Sequence, residues 1–293
     1  MLLVNEASGV RYRNGSIPIF YKEDTEFEKA YFSETMKIYS DKIARFVCRS
    51  NTASKGAVIR RLSSIFSTIL VDEAQDLAGY DLEILKLVFS STMKAILVGD
   101  PRQVTYLTHL ESKYRKYRNG NIVSFVNSEV PVKFRPSVDM NILNTTHRNN
   151  YRICSYSAKL FPDFPPVLPC SCPDCDSGSS DHVGVFLVRK VDVEEYLCNF
   201  KPVQLRWSSS VPVNTNYEAR NFGESKGLEF ERVLIYPTEK MQKWVTDNSA
   251  TLSNEARAKL YVGITRAKIS TAIVMDFDVE KSYEDVEKYE RQN

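Results

Sequence analysis

Two short apolar runs in the first half of the chain each end in acidic or small polar residues. Residues 69–76 read ILVDEAQD, and residues 94–100 read KAILVGD. Between them, apolar positions recur at helical spacing, at Leu82, Ile84, Leu85, Leu87 and Val88. This strand–helix–strand order predicts a parallel, doubly wound α/β sheet, in which ligands bind at the carboxyl ends of the strands. Asp72-Glu73 and Gly99-Asp100 both stand at such ends.

The same alternation returns after residue 181. Strands are predicted in VGVFLV, PVQLRW, RVLIYP and STAIVMDF, and helices in DVEEYLCNF and NEARAKLYVGITRA. Residues 161–181 are rich in Pro, Cys, Ser and Asp and are predicted to form a loop. We therefore predict two α/β domains, residues 1–138 and residues 139–293.

The segments that flank these layers have patterns of their own. Residues 25–49 carry apolar positions at helical spacing, which predicts a helix. The polar stretch SNTASKG interrupts it, and a second short helix is predicted to end at Ile65. The charged residues 279–293 predict a peripheral helix or tail.

Composition changes this picture little. With 43% apolar and 26% charged residues in a chain of 293, the sequence is typical of a globular protein. No apolar run approaches the roughly 20 residues that cross a bilayer, and the first residues lack the basic start of a secretory signal. A cytoplasmic location is therefore expected. Six cysteines are too few for a disulfide framework, which agrees with a reducing compartment.

The net charge of +2 does not by itself indicate a nucleic-acid partner. Locally, residues 113–118 read KYRKYR and place four cations around two tyrosines, a pattern suited to phosphates and stacked bases. A solvated helix face gives the same pattern. Both interpretations of this basic segment stay open at this point.

Five stretches, in order, resemble the UvrD/Rep/PcrA-type superfamily-1 DNA helicases. They are VDEAQD (71–76), LVGDPRQ (97–103), NTTHRNNYRICSYSA (144–158), ESKGLEFERVLI (224–235) and KLYVGITRAK (259–268). The resemblance covers roughly residues 69–275 and implies two RecA-like domains, the first incomplete at its N-terminus. It also implies ATP and Mg as cofactors and single-stranded or partly duplex DNA as a partner.

The first two stretches imply the magnesium half of a nucleotide site. Asp72 is expected to hold the metal, while Glu73 polarises a water for in-line attack on the γ-phosphate. Gln75, Asp76 and Asp100 are expected to belong to the same cofactor-binding group.

The other stretches imply groups that touch phosphate, ribose or DNA. Gln103 resembles the γ-phosphate sensor, and Arg148 and Arg266 resemble arginine fingers that stabilise transition-state charge. Gly227 and Glu229 are expected at the ribose. DNA contacts are expected from Tyr106, Lys113, Arg115, Arg118 and Lys226.

The chain also departs from the family pattern. It contains no G-x-x-x-x-G-K-[ST] loop, the element that supplies most of the grip on the β- and γ-phosphates, and the sequence is expected to begin after the place of that loop. Thr108 and His109 stand where the family has a base-stacking aromatic residue and an arginine, and Gly223 where it usually has a histidine. The short span between Ala158 and Lys226 leaves no room for a large accessory domain.

A cysteine-rich stretch suggests a second kind of site. Cys170, Cys172 and Cys175 lie in CSCPDC, and with His182 they can furnish four tetrahedral zinc ligands. Because the spacing is not that of a zinc ribbon, a reduced cysteine-rich loop without Zn is the alternative.

Together these features favour a UvrD-like helicase-family module that binds single-stranded DNA and, when a P-loop-bearing segment is supplied, ATP with magnesium. The setting expected for it is a bacterial DNA transaction or antiviral defence, with little intrinsic ATPase. The alternative is a degenerate, non-catalytic helicase that acts as a DNA-sensing scaffold for a partner nuclease. Variants of Glu73 and Arg266 separate the two, since neither side chain is expected to fill a core.

Overall fold

The computed structural model describes residues 3–4, 11–13, 17–19, 21–105, 112–172 and 181–291. The chain divides into two compact units. Unit 1 consists of residues 1–101 and 107–137, and unit 2 of residues 102–106 and 138–293. Residues 102–106 cluster with unit 2 although they follow residues 1–101 of unit 1 in sequence. Gln103 therefore belongs to unit 2, whereas the acidic residues 72–76 belong to unit 1.

Unit 1 contains short strands and helices of one to three turns. Its elements in chain order are β1 (Leu3–Val4), β2 (Arg11–Arg13), β3 (Ile17–Ile19), α1 (Phe27–Tyr31), β4 (Ile38–Tyr39), α2 (Ile43–Ala53), α3 (Ala57–Ile65), β5 (Thr68–Val71), α4 (Tyr80–Phe89), β6 (Lys94–Leu97) and α5 (Ile122–Glu129). Strands β5 and β6 pair in parallel, as predicted, with Val71 opposite Leu97. Helix α4 is the crossover between them.

One face of the β5–β6 pair is covered and the other is exposed. Alternate residues of a strand point to opposite faces. Val71 and Leu97 pack in a core with α4 and α5, whereas Leu70 on the opposite face is 73% exposed and Ile96 and Val98 are each 41% exposed. Parallel sheets normally have both faces covered, so unit 1 presents an apolar sheet face without a covering layer among its described residues.

The predicted helix over residues 25–49 is wrong in its extent. The structure breaks it into α1 and α2, separated by turns and by strand β4. The predicted polar break is also displaced, because α2 continues through Ala53 and the turn falls at residues 54–56. Asn51 explains the shift, since its buried side chain accepts a hydrogen bond from the Ile59 amide (3.1 Å) and joins α2 to α3.

Unit 2 is built on a six-stranded parallel sheet of order β11-β10-β12-β13-β9-β14. Its elements in chain order are β7 (Thr145–Thr146), α6 (Tyr151–Ala158), β8 (Leu168–Pro169), β9 (Gly184–Val188), α7 (Val193–Phe200), β10 (Val203–Arg206), β11 (Ala219–Asn221), β12 (Phe230–Ile235), α8 (Glu239–Thr246), α9 (Asn254–Thr265), β13 (Ala267–Val274) and β14 (Glu287–Lys288). The predicted parallel α/β class is confirmed.

Helices cover both faces of this sheet. On one face, α6, α8 and α9 pack through residues such as Tyr156, Trp244 and Leu260. On the other face, α7 packs through Tyr196 and Leu197. Strand β9 lies between the two layers and all of its residues are buried, as expected for a central strand of a doubly wound sheet.

The end of the chain differs from the predicted peripheral helix or tail. Residues 287–288 form β14, which pairs in parallel with β9 at the edge of the sheet. Tyr283 and Tyr289 are buried against the two cores, and these aromatic side chains explain why a charged segment is held on the sheet. Over the residues that the structure describes, no helix has both the length and the apolar character needed to cross a membrane.

Candidate functional site

The acidic segment leaves strand β5 through a sharp turn at Glu73. Glu73 has a left-handed backbone conformation (φ 52°, ψ 39°) and begins a single 3-10 turn over residues 74–76. The Asp72 carboxylate accepts a hydrogen bond from the Glu73 amide (2.8 Å) and stabilises that turn. As a result Asp72 is exposed and Glu73 half-buried at the carboxyl end of the strand.

Gln75 joins the acidic segment to the end of strand β6. Its side chain is only 2% exposed. The amide nitrogen donates to a Glu73 carboxylate oxygen, and the amide oxygen accepts from the Asp100 backbone amide (3.0 Å). A backbone hydrogen bond from Ala74 to the Val98 carbonyl (2.9 Å) runs alongside. The carboxylates that follow β5 and β6 are therefore held at one end of the sheet.

Gly99 permits this close approach. A Cβ atom at residue 99 would overlap the Gln75 amide oxygen and would lie 3.0 Å from the Ala74 amide nitrogen. Any larger side chain would displace Gln75 and separate the two strand ends.

Carboxylate oxygens are the ligands that Mg²⁺ prefers. Asp72, Glu73 and Asp100 follow the carboxyl ends of adjacent parallel strands, and Asp76 is buried, with 4% exposure. Among the described residues these carboxylates do not bring three ligand atoms together as a metal site does, so magnesium binding stays a prediction. The sequence offers no phosphate-binding loop to complete a nucleotide site.

Gln103 and Arg266, predicted as sensor and arginine finger, contact each other in unit 2. The Arg266 guanidinium donates to the Gln103 side-chain oxygen (3.1 Å) and to the Leu228 carbonyl (3.1 Å). Arg266 is 2% exposed and is among the largest fully buried side chains of the described residues. The expectation that its side chain fills no core is therefore wrong: Arg266 directly follows the last residue of α9 and its side chain points inward, beside the loop before β12.

Arg148 lies in an exposed charged group with Glu229 and Lys268. Glu229 is 3.5 Å from the Arg148 guanidinium and 2.6 Å from the Lys268 amine. The hydrogen bond from Lys268, followed by the effect of Arg148, lowers the pKa of the Glu229 carboxyl below its ordinary value. The preceding Gly227 has φ +78°, a conformation that glycine adopts without strain, and it turns the chain from residue 226 toward Glu229.

The basic segment 113–118 folds with its tyrosines inward. Tyr117 is buried and Tyr114 packs against Phe125 (ring centroids 5.1 Å apart). Each tyrosine hydroxyl donates to a carboxylate, Tyr114 to Glu83 (2.6 Å) and Tyr117 to Glu129 (2.7 Å). The rings serve the core of unit 1 in this structure, so the chemistry that the segment offers to a nucleic acid is that of its cations.

Those cations differ in exposure, and two of them lie beside carboxylates. Lys113 lies 3.2 Å from Glu83, and Lys116 lies 3.2 Å from Glu129. Arg115 is exposed and Arg118 half-buried. Of the other predicted DNA contacts, Lys226 follows a 3-10 turn in unit 2 and is half-buried, and Tyr106 lies outside the described residues together with Thr108 and His109.

The predicted zinc ligands do not all come together. The His182 ring is stacked between Phe186 (3.5 Å) and Phe200 (4.1 Å), and its Nε2 is hydrogen-bonded to Tyr196 (2.8 Å). Burial, followed by the charge of Arg232, lowers the pKa of His182 to about 4. The prediction that His182 is a zinc ligand is therefore wrong, because this histidine belongs to an aromatic cluster beside α7.

Two of the predicted cysteines do lie together, with a different histidine. Among the described His, Cys, Asp and Glu side chains, Cys170 and Cys172 group with His147. Cys175 lies outside the described residues. Sequence reasoning missed His147 because it stands about 20 residues before the cysteines, and only the pairing of β7 with β8 brings it near. Lys268 was missed as a partner of Glu229, although it is the last residue of the KLYVGITRAK stretch.

Comparison with known proteins gives the following matches. Residues 20–127 match the model of the UvrD/REP helicase N-terminal domain. The RecBCD enzyme subunit RecB of Borreliella burgdorferi is 28% identical over 104 residues, which are 36% of this chain and 8% of that protein. The chain thus spans a small part of this curated relative.

Solved structures of helicases show a more distant likeness. The PRRSV helicase is similar over 70% of this chain and 34% of its own, at 17% identity and a TM-score of 0.40. The C-terminal domain of a possible DNA helicase from Lactobacillus plantarum WCFS1 is similar over 49% of this chain and 98% of that domain, at 12% identity and a TM-score of 0.31.

Proposed function

We propose that this chain, whose residues 20–127 match the UvrD/REP helicase N-terminal domain, is a UvrD-like helicase module that binds single-stranded DNA and, once a P-loop-bearing segment is supplied, ATP with magnesium. The observation that carries this proposal is the ordered acidic group at the ends of β5 and β6. Gln75 fixes Glu73 and the Asp100 backbone in one arrangement through two hydrogen bonds of its side chain. Such preorganisation is what an in-line hydrolysis site requires.

In this proposal Asp72 and Asp100 hold the magnesium ion, and Glu73 orients and polarises the attacking water. When bound, magnesium neutralises charge on the phosphate oxygens. Gln75 is a positioning residue: it holds the Glu73 carboxylate through a hydrogen bond that also excludes other rotamers.

The exposed apolar face of β5 and β6 is a surface on which the segment that carries the phosphate loop can dock. Leu70, Ile96 and Val98 line this face, and an α/β segment that carries a phosphate loop is itself a strand followed by a helix. Docking such a segment on this face would bury the three side chains and bring a phosphate cradle to the end of the sheet where the carboxylates lie. We propose this occupant, whether it is part of a longer form of this chain or of a second polypeptide.

The experiment on this site uses Glu73→Gln. The substitution keeps the size and the Gln75 contact but removes the charge that polarises water, and loss of a general base costs about 10²–10⁴ in rate. The isolated chain should bind a non-hydrolysable ATP analogue with magnesium only weakly in isothermal titration. With the P-loop-bearing segment present, ATPase should appear in the parent and collapse in Glu73→Gln, while analogue binding persists.

Glu28→Gln, an exposed carboxylate on α1, is the matched control and should leave the rate unchanged. The alternative function is that of a DNA-sensing scaffold for a partner nuclease. On that alternative, Glu73→Gln changes neither ATP turnover nor the activity of the assembled complex. Full activity of Glu73→Gln with its partner would therefore contradict the proposal that this chain takes part in ATP hydrolysis.

DNA binding is proposed to use the basic segment through its charges. Changing Lys113, Arg115 and Arg118 together to Ala should weaken binding of single-stranded DNA and flatten the plot of log affinity against log salt. The slope should change by up to about 2, at about 0.7 for each phosphate that is no longer neutralised. Fluorescence anisotropy with a labelled oligonucleotide at several salt concentrations measures both quantities.

A control triple variant removes the same charge from unit 2 at three exposed cations: Arg220, Lys240 and Lys243. It should lose less affinity and keep the parent salt slope. If both triple variants behave alike, the basic segment is only a solvated surface and the DNA-binding face lies elsewhere.

A further inference from the structure

The described part of unit 2 contains a group of soft metal ligands that no helicase chemistry uses. One ligand atom each from His147, Cys170 and Cys172 lies within 4.8 Å of the other two. We propose that these residues form a structural zinc site. This inference does not depend on the proposed ATP or DNA binding.

The local fold explains why the three residues meet. Strands β7 and β8 pair in parallel, with Thr146 opposite Pro169. The Cys170 amide continues the ladder by donating to the Thr146 carbonyl (2.8 Å). His147 and Cys170 each follow the last residue of their strand, so the two side chains leave the same end of a parallel pair.

The chain then folds back at Cys172. The Cys172 backbone amide donates to the Cys170 sulfur (3.3 Å). A hydrogen bond of this kind stabilises the thiolate, which is the form of cysteine that binds a metal. Both cysteines are thiols and not halves of a disulfide, so both sulfur atoms are in the oxidation state that ligation requires.

The chemistry of the donors selects zinc. Two thiolates and an imidazole are soft to borderline ligands and disfavour magnesium or calcium, which take oxygen. Zinc bonds of about 2.3 Å to sulfur and about 2.0 Å to nitrogen place tetrahedral ligand atoms about 3.3–3.8 Å apart. Since the three ligand atoms lie within 4.8 Å of one another, a contraction of at most about 1–1.5 Å closes the site around the ion. His147 is exposed and leaves a path for entry. The described residues supply three of the four ligands that a structural zinc site uses.

The site lies directly beside a predicted arginine finger. Residues after His147 are already anchored on one side, because the buried Asn149 side chain donates to the carbonyls of Thr265 (3.0 Å) and Ala267 (2.7 Å). A metal on His147 would anchor the other side to the loop after β8. The position of Arg148 between the two anchors would then be fixed. The zinc would have a structural role and take no part in a reaction.

The first test is metal content. The full chain, expressed with zinc and dialysed against metal-free buffer, should retain about one zinc per chain by inductively coupled plasma mass spectrometry. The Cys170→Ser/Cys172→Ser double variant and His147→Ala should each lose most of it. Cys198→Ser, which changes an exposed free cysteine on α7, is the matched control and should keep it.

A second readout guards against variants that fail to fold. Zinc-stripped parent protein titrated with Co²⁺ should give the ligand-field absorption of a tetrahedral site and a thiolate-to-cobalt charge-transfer band, both saturating at one equivalent. The fluorescence of Trp207 and Trp244 reports whether unit 2 stays folded throughout. His147→Ala that remains folded should bind cobalt more weakly than the parent. With cobalt in excess its charge-transfer band should persist while the ligand-field spectrum changes, because the thiolates stay and one nitrogen leaves.

Three results would overturn the proposal. The parent could retain less than about a tenth of an equivalent of zinc after loading. The double cysteine variant could retain as much zinc as the parent, which would place the metal elsewhere. Mass spectrometry of the protein purified under reducing conditions could find Cys170 and Cys172 joined in a disulfide, which would remove both ligands.

Discussion

Arg266→Ala should destabilise unit 2 even in the absence of any nucleotide or DNA. The guanidinium is 2% exposed and donates hydrogen bonds to the Leu228 carbonyl and the Gln103 side-chain oxygen. Truncation removes both donors and leaves a cavity at the end of α9. The substitution therefore tests a structural role that a surface arginine finger would not have.

The size of the effect follows from opposing contributions. Hydrogen bonds from a charged group contribute about 1.5–3 kcal/mol each, and emptying a large buried side chain costs about 2–5 kcal/mol. Against these stands the desolvation of the buried charge, several kcal/mol that the alanine variant no longer bears. We expect a net loss of about 2–4 kcal/mol in the free energy of unfolding, and a melting temperature lower by about 10 °C for a unit of this size.

The chain offers a selective assay for this loss. Its two tryptophans, Trp207 and Trp244, both lie in unit 2, so intrinsic fluorescence during urea unfolding reports on that unit alone. Arg220→Ala is the matched control, because Arg220 is 45% exposed and pairs only locally with Glu218; its cost should stay below about 0.5 kcal/mol. If Arg266→Ala unfolds at the same urea concentration as Arg220→Ala, the buried guanidinium contributes nothing and the reasoning fails.

Two further perturbations test unit 1 and the aromatic cluster of unit 2. Gly99→Ala should displace Gln75 and lower the free energy of unfolding by about 1–3 kcal/mol, measured by far-UV circular dichroism during urea unfolding. Gly223→Ala is the control and should be neutral, because an added Cβ there meets nothing within 4 Å. Equal stability of the two variants would contradict the close approach at Gly99. Burial lowers the pKa of His182 from 6.5 to about 4, so between these pH values the unfolded chain binds a proton that the folded chain does not. The free energy of unfolding should therefore fall as the pH drops from about 6.5 to about 4. The expected loss is about 1–2 kcal/mol after allowance for partial exposure. Tryptophan-monitored unfolding across this range should be flatter in His182→Gln, and an identical pH dependence in both proteins would exclude His182 as its source.

The parallel sheet was predictable from local sequence because its strands are buried on both faces. Strand β9, Gly184–Val188, is a continuous apolar run, and such runs separated by helical patterns have few other solutions. The failures occurred where apolar spacing alone was read as a helix. Residues 25–49 contain aromatic side chains that pack on one another across a turn, such as Tyr31 on Phe46 with ring centroids 5.5 Å apart. Periodicity does not reveal that these contacts replace a continuous helix.

The candidate site likewise combines features that the sequence predicted with features that it could not. Asp72 and Asp100 were predicted together because strand ends of a parallel sheet meet at one edge. The hydrogen bond from the Asp100 amide to Gln75 depends on a buried rotamer that no spacing rule specifies. The burial of Arg266 and the approach of His147 to Cys170 both arise from pairings between segments distant in sequence. A linear pattern identifies the chemical type of such residues but not their partners.

The conformation of Glu73 bears on the choice between a motor and a scaffold. A residue with a side chain in the left-handed region costs roughly 1–2 kcal/mol relative to the right-handed one. Here that cost is offset locally, by the Asp72 carboxylate on the Glu73 amide and by the backbone bond from Ala74 to Val98. Such strain is found where the surrounding structure fixes a functional side chain. The left-handed conformation alone does not decide between an ATP-hydrolysing module and a scaffold, because residues without a proposed role at this site, such as Lys55 and Lys201, share it. The rate of the Glu73→Gln variant decides between them.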